Sequence, residues 1–382
     1  MRFTRSELAG AVADLGVLVP IAVALIVANG LSATAVLLPA GILYLTAAVV
    51  YRLPVPVQPL KAFGAIAIAK GLGSDEIAAG ALLLGALFLV TGRLGLIDLA
   101  ARAFPRALVR GVQLTVGLLF LEIAWGLVSD PPSSFQAYAL DPSWAVPLGV
   151  AAFAAALAFK RFAVSLVLVG VGALVMLALA GHDASLGPSG LETPHLDGAA
   201  FLTALTVLVI PQAPLSFANS CLATADAART YFGTRAARVR PGRLATTFGT
   251  ANLAVGAISG MPVCHGAGGM TAHYSFGART GAAPLMMGGG LVALALGAGS
   301  GLGALLAAFP LPILAGLLAT AGLLHIGLLR DLRGGRDWAL ALLVGALGFA
   351  LNLAWALGIG LLLWWIPWSV YRLRARTAQA SA

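Results

Sequence analysis

The sequence predicts an all-α polytopic membrane protein with about 14 transmembrane segments, a 7+7 inverted repeat whose segments 3 and 10 are discontinuous, each a short strand plus a half-helix. Three observations predict it. The 382 residues are 60% hydrophobic and 10% charged, with a mean hydropathy of +0.97, too apolar for a surface that water must hydrate. Phe104-Pro105, Gly111, Thr115, Gly117, Leu118 and Leu119 recur at a constant offset of 205 as Phe309-Pro310, Gly316, Thr320, Gly322, Leu323 and Leu324. Two apolar segments carry proline or glycine runs that no continuous helix tolerates.

A spanning helix needs roughly 20 mainly apolar residues. In the first half the stretches 8–28, 33–51, 54–71, 76–92, 107–128, 144–159 and 162–181 qualify. The second half offers 199–224, 245–259, 260–277, 284–307, 310–329, 337–352 and 354–371. Connections are short and leave no room for a separate soluble domain. Arg2 and Arg5 before the apolar run from Val17 imitate a signal peptide. A retained first span is preferred, because Pro20-Ile21 aligns with Pro214-Leu215 in the second half.

With the N-terminus in the cytoplasm, Arg93/Arg102/Arg106/Arg110, Lys160/Arg161, Arg229 to Arg243, Arg330/Arg333/Arg336 and Arg372/Arg374/Arg376 all fall on that side. The opposite loops, 129–143 and 181–198, carry Asp130, Asp141, Asp183, Glu192 and Asp197 and neither Lys nor Arg. This is the positive-inside pattern, and it puts both termini in the cytoplasm. Trp364, Trp365 and Trp368 suit an interfacial belt at the end of the last span.

The recurrence divides the chain into repeats 1–198 and 199–382, and Pro56-Val57 returns as Pro262-Val263 at offset 206. An odd number of spans per repeat makes the second copy enter the membrane from the opposite side, which places substrate at the repeat interface near the midplane.

Segment 3 reads Pro54-Val55-Pro56-Val57-Gln58-Pro59-Leu60-Lys61-Ala62-Phe63-Gly64, so its front half is extended. About six extended residues and about twelve helical ones reach roughly 38 Å, enough to cross a hydrocarbon core of about 30 Å. The helix is expected to begin near Pro59 or Leu60, where proline suits the first turn. Segment 10, Met261-Pro262-Val263-Cys264-His265-Gly266-Ala267-Gly268-Gly269-Met270-Thr271, repeats the design with glycines that leave backbone N–H groups approachable. Inverted symmetry points the two half-helix N-termini at one another. Each carries orphan N–H donors and roughly half a positive charge, so the gap between them suits an anion.

The substrate-binding candidates on segment 3 are Gln58, Leu60, Lys61 and Ala62. Segment 10 contributes Cys264, His265, Gly266, Ala267 and Gly268, and segment 8 contributes Gln212, Ser216 and Asn219. Lys61 supplies full positive charge, or else snorkels to the cytoplasmic edge. The neutral donors suit an oxyanion that must also be released, and equally suit helix–helix hydrogen bonds. His265 suits an anion contact, a proton carrier or a structural hydrogen bond. Asp14, Glu122 and His265 are the proton-coupling candidates, with Asp14 alternatively a neutralising partner of Lys61. The offset of 205 places Gly327 opposite Glu122, so that carboxylate has no acidic counterpart.

Cys221 and Cys264 lie far apart in apolar segments and form neither a disulfide framework nor a metal site. No Walker A, GxSxG, HExxH or zinc spacing occurs, so no enzyme, cofactor or metal is expected. Net charge is +9, but the basic residues lie between apolar stretches and form no nucleic-acid patch.

Asp14-Leu15-Gly16-Val17-Leu18-Val19-Pro20-Ile21, the segment 3 motif, Pro211-Gln212-Ala213-Pro214-Leu215-Ser216-Phe217-Ala218-Asn219-Ser220-Cys221, and the segment 10 motif through Arg279-Thr280-Gly281 together resemble the molybdate/sulfate transporter family. That family is similar to the sulfate-permease and uracil-permease group. The resemblance implies a core domain of segments 1–4 and 8–11 moving against a gate domain of segments 5–7 and 12–14, often within a homodimer. It also implies that no STAS domain is present, which favours molybdate over sulfate. The expectation is a secondary transporter of the cytoplasmic (inner) membrane that takes up a tetrahedral oxyanion, molybdate first and sulfate second, with protons as a plausible coupling ion. A nucleobase permease is disfavoured because segments 8 and 10 hold no deep carboxylate, Asp226 lying near the cytoplasmic end. A membrane scaffold gains nothing from two costly breaks at the midplane.

Overall fold

The computed structural model describes residues 3–366, apart from 103, 160–163, 181–184, 299–300, 352 and 354. Lys160, Arg161, Asp183, Trp368, Arg372, Arg374 and Arg376 therefore lie outside the described residues. The protein is mostly helical. Arg5–Val12 (α1), Leu15–Val27 (α2) and Ala33–Tyr51 (α3) precede a two-residue strand Gln58–Pro59 (β1) and the short helix Lys61–Ala69 (α4). Then come Ser74–Arg93 (α5), Leu96–Arg102 (α6), Arg106–Ser129 (α7), Pro142–Ala158 (α8) and Val164–Ala180 (α9).

The second half begins with one long helical run, Gly198–Arg238. It contains Gly198–Thr203 (α10), Ile210–Leu215 (α11) and Thr224–Phe232 (α12), separated by π-helical stretches Ala204–Val209 and Ser216–Ala223. Pro241–Gly256 (α13) leads to Val263–Cys264 (β2) and Ala267–Ser275 (α14). Ala282–Gly297 (α15), Leu302–Ala307 (α16), Leu311–Ile326 (α17) and Gly335–Ala350 (α18) follow, and the final described helix is Trp355–Ile366. Among the described residues, five helices are long and apolar enough to cross a membrane alone, or six if α1 and α2, bent by 44°, count as one span.

Three elements differ from the sequence expectation. The first stretch is broken at Ala13–Asp14, where Asp14 takes the N-cap position of α2 but turns its side chain away to Gln58 of β1 and makes no capping hydrogen bond. Gln58 draws the carboxylate aside, and aspartate's weak helix propensity lowers the cost of the break. The eighth span widens into π turns on both sides of Pro211 and Pro214, which have no N–H to continue the α pattern. The eleventh stretch is two helices, α15 and α16.

Packing runs through matched small residues. α7 lies along α17, and a Cβ on Gly117 would sit 3.0 Å from the Gly322 carbonyl oxygen while one on Gly322 would sit 2.9 Å from that of Gly117. These glycines are repeat equivalents at offset 205, so the two copies of one helix meet at their own shared position. β1 pairs antiparallel with β2, Gln58 opposite Cys264 and Pro59 opposite Val263. Gln58 and Cys264 also correspond under the offset of 206.

Candidate functional site

The broken segments meet where each extended stretch turns into a helix. Prolines at 54, 56 and 59 remove N–H groups from the first stretch but leave its carbonyls needing donors. Two imidazoles supply them. His265 Nδ1 donates to the Pro56 carbonyl at 2.8 Å and His273 Nδ1 to that of Pro54 at 3.0 Å. The other nitrogen of His265 lies 2.8 Å from Thr247 Oγ1, so both of its nitrogens are engaged with protein. The Leu60 N–H donates to the Pro262 carbonyl, joining the two breaks. Asn252 on α13 then fixes β2: its Oδ1 accepts from the Val263 N–H at 2.8 Å and its Nδ2 donates to the Val263 carbonyl at 2.7 Å.

α4 starts at Lys61 with Leu60 as N-cap, and α14 starts at Ala267 with Gly266 as N-cap. Neither cap supplies a side-chain hydrogen bond, so the orphan donors of both first turns look elsewhere. Gln212 Oε1 accepts from the Phe63 N–H at 2.9 Å, its Nε2 donates to Ser216 Oγ at 2.9 Å, and Asn219 Oδ1 accepts from the Ala267 N–H at 3.3 Å. The eighth span thus reaches both half-helices. Among the described residues, the N–H groups of Lys61, Ala62, Gly268 and Gly269 have no protein acceptor.

A chain of three polar side chains crosses the gap. Lys61 Nζ donates to Gln58 Oε1 at 2.8 Å, and Gln58 Nε2 donates to Asp14 Oδ1 at 2.5 Å. Lysine only donates and a carboxylate only accepts, so the amide orientation is dictated by its neighbours. Asp14 is thereby the counter-charge of Lys61 through Gln58, with no direct ion pair between them among the described residues. Its second oxygen is buried and unpartnered, and a Cβ on Gly269 would stand 2.6 Å from it. Asp14, Gln58, Lys61, Gln212, Ser216 and Asn219 are each at most 8% exposed. Lys61 does not snorkel.

Phe120 of α7 closes the gap from the side. Its ring centroid is 5.4 Å from Lys61 Nζ, within cation–π range. A Cβ on Gly268 would meet the ring at 2.5 Å, and one on Gly266 would meet Gln58 Oε1 at 1.8 Å, so only glycine lets these backbones come this close. Cys264 is buried, with Sγ 4.0 Å from the Pro59 carbonyl oxygen. Glu122 is exposed on α7, two residues and so about 200° around the helix from Phe120. It does not join this cluster.

The family model described as a molybdate transporter of the MFS superfamily matches residues 6–120 and 204–324, which take in the whole cluster around the two breaks and leave out Glu122. The chain belongs to the molybdate transporter family. Molybdate transporter 1 of Arabidopsis thaliana is 28% identical over 95% of this chain and 88% of its own length, and Molybdate transporter 2 of the same plant is 28% identical over 93% and 85%. Molybdate transporter 1 of Chlamydomonas reinhardtii is 40% identical over 37% of this chain and 28% of its own. In fold, this family member is similar to the transmembrane domain of the cyanobacterial bicarbonate transporter BicA, with a TM-score of 0.60 and 19% identity over 93% of this chain and 98% of that one. It is also similar to the murine Slc26a9 anion transporter in its inward-facing state, with a TM-score of 0.64 and 14% identity over 96% and 68%.

Several residues in and around this cluster escape a reading by motif. Phe120 looks like any aromatic residue on an apolar helix. Asn252 was detectable in principle, as an amide amid apolar residues of α13. Arg110, fully buried on α7, donates to Asp226 of α12, to Gln113 and to Asp331 beyond α17, while Arg106 also pairs with Asp331 at 2.5 Å. In the sequence these arginines read only as topology markers.

Proposed function

We propose that this protein is a secondary transporter taking up a tetrahedral oxyanion, molybdate before sulfate, bound between the N-termini of α4 and α14. The observation that carries this reading is the pair of half-helix N-termini whose N–H groups at Lys61, Ala62, Gly268 and Gly269 are unclaimed beside the Lys61 ammonium. Donors and dipoles of this kind attract an anion without binding it irreversibly. Gln58 and the segment 8 amides complete the shell, and Leu60, Gly266 and Ala267 shape its backbone. Cys264 contributes packing, and His265 holds the Pro56 carbonyl in place.

The finer architecture belongs to the same proposal: fourteen spans as a 7+7 inverted repeat (1–198 and 199–382), a core of segments 1–4 and 8–11, and a gate of segments 5–7 and 12–14. Antiparallel pairing of the repeat-equivalent residues Gln58 and Cys264 supports inversion over parallel halves. The protein works in the cytoplasmic membrane with both termini inside, by core movement against the gate, as a homodimer. A dianion entering against an inside-negative potential of about 100 mV costs about 4.6 kcal/mol, and co-transported protons are the coupling that offsets it. Asp14 and Glu122 remain candidates for carrying them.

Uptake of labelled molybdate into proteoliposomes, with sulfate and uracil as competitors, tests the reading. Saturable uptake that sulfate inhibits weakly and uracil not at all is expected. No uptake of either oxyanion by folded protein overturns the substrate assignment.

A further inference from the structure

Phe120 and His325 are repeat equivalents, separated by the same 205 residues as Gly117 and Gly322. Each therefore occupies the same place on its own copy of the helix. Phe120 packs between Gly268 of α14 and Gly322 of α17, since a Cβ on either glycine would fall 2.5 or 3.0 Å from its atoms. Three residues further along each of those helices, Thr271 of α14 and His325 of α17 meet: His325 Nδ1 lies 2.7 Å from Thr271 Oγ1. This contact sits one helical turn from the Phe120–Lys61 contact, on the seam where α14 faces α17.

The hydrogen-bond directions follow from the neighbours. The Thr271 hydroxyl donates to the Ala267 carbonyl at 3.2 Å and lies 3.0 Å from the Tyr231 hydroxyl. Assigning the threonine proton to the Ala267 carbonyl makes His325 the donor from Nδ1 and leaves the lone pair on Nε2. That Nε2 is buried and has no partner among the described residues, in a side chain with 0% exposure. A buried polar atom without a partner in a packed helix interface is uncommon and calls for a ligand in some other state of the molecule.

We propose that His325 is the proton-carrying residue of the transport cycle, an inference that rests on the oxyanion-transport reading. When α14 slides against α17, the Thr271–His325 bond breaks and the ring meets the water that follows the anion. Nε2 takes a proton from hydronium in that water and leaves neutral water behind; the imidazolium stays on the gate helix α17 while the core carries the dianion past it, and the proton passes to water on the far side once the core has moved. One N–H bond forms and the same one breaks. The charges whose fields reach the ring are Arg110 and Lys61. The other titratable or charged groups on elements packed against α17 are Arg106 and Glu122 of α7, His273 and Tyr274 of α14, Asp14 at the head of α2, and Arg330 and Asp331 in the turn after α17, whereas α8 and the described part of α9 bring none. Asp331, in the turn after α17, is held by Arg106 and Arg110, so the carboxylate that competes for this proton is Asp14, whose Oδ2 has no partner among the described residues.

The test compares wild type, His325→Gln, Thr271→Val and Asp14→Asn in proteoliposomes, measuring molybdate exchange at equal pH and accumulation driven by an imposed pH gradient. Glutamine keeps a donor for Thr271 and cannot titrate. His325→Gln is expected to retain exchange and to lose gradient-driven accumulation and the pH dependence of uptake. Thr271→Val keeps the titrating ring, so its gradient response persists with a displaced pH profile. Gradient-driven accumulation by His325→Gln with the wild-type pH profile overturns the proposal. So does loss of accumulation in Asp14→Asn alone, or a Thr271→Val variant that fails in the same way as His325→Gln, since then the contact is structural. Wild type that takes up molybdate indifferently to pH also overturns it, while leaving oxyanion transport standing; wild type that takes up no oxyanion overturns the transport reading itself.

Discussion

Replacing Gly268 with alanine places a Cβ 2.5 Å from Phe120 Cζ and 2.6 Å from Cε2. Carbon atoms in contact need about 3.5 Å, so ring and half-helix must part by about 1 Å. The ring has little room to retreat, because Gly322 backs it on the α17 side and the side chain is wholly buried. Overpacking of this kind costs about 1–3 kcal/mol. If α14 yields, the Gly268 N–H leaves the anion site, and losing one charge-assisted hydrogen bond of about 1.5–3 kcal/mol weakens binding by about 10- to 150-fold. Oxyanion affinity by titration calorimetry and stability by denaturation, both in detergent, read the two effects. The double variant Gly268→Ala/Phe120→Ala relieves the clash, and the two changes should couple by about 0.5–3 kcal/mol in a double-mutant cycle. Strict additivity would refute the contact, and unchanged affinity in a destabilised Gly268→Ala would refute the placement of that N–H in the site.

Two further outcomes follow from the charged groups. Lys61→Met should abolish high-affinity oxyanion binding and, by leaving buried Asp14 without its counter-charge, cost up to about 3–5 kcal/mol of stability; adding Asp14→Asn should restore the stability and not the binding. Undiminished affinity in folded Lys61→Met would remove the ammonium from the site. Arg110→Met leaves Asp226 without its arginine and Asp331 with Arg106 alone, and because both carboxylates are partly exposed it should cost less than the about 3–5 kcal/mol of a fully buried pair, with Arg110→Lys recovering only part because an ammonium lacks the guanidinium fork that serves several acceptors. Equal stability of the lysine variant and wild type in thermal denaturation would show that the fork geometry contributes nothing.

The local breaks of segments 3 and 10 were legible in the chain because they are matters of covalent chemistry. A proline has no N–H wherever it stands, and three of them within Pro54–Pro59 end any helix there without help from the rest of the molecule. The membrane class was equally legible, since hydropathy needs no coordinates. The motifs also pointed to the family that the comparison with family models matched. The break at Asp14 was not legible, because nothing near it in sequence forbids a helix; the carboxylate is drawn aside by Gln58, 44 residues away.

What the sequence by itself determined is which residue types stand at the two breaks: a lysine, an amide and approachable glycines, which suit an anion. Only the tertiary structure decided which of their hydrogen-bonding groups are already taken. His265 is engaged at both nitrogens, Gln212 and Asn219 each cap a half-helix, and Gln58 joins Lys61 to Asp14. It likewise decided that Phe120 and His325 face the half-helices while Glu122 does not. The physical reason is that a hydrogen bond is satisfied in space and not in sequence. A side chain's composition fixes what it is able to bind, and its partners across the fold fix what is left for a ligand.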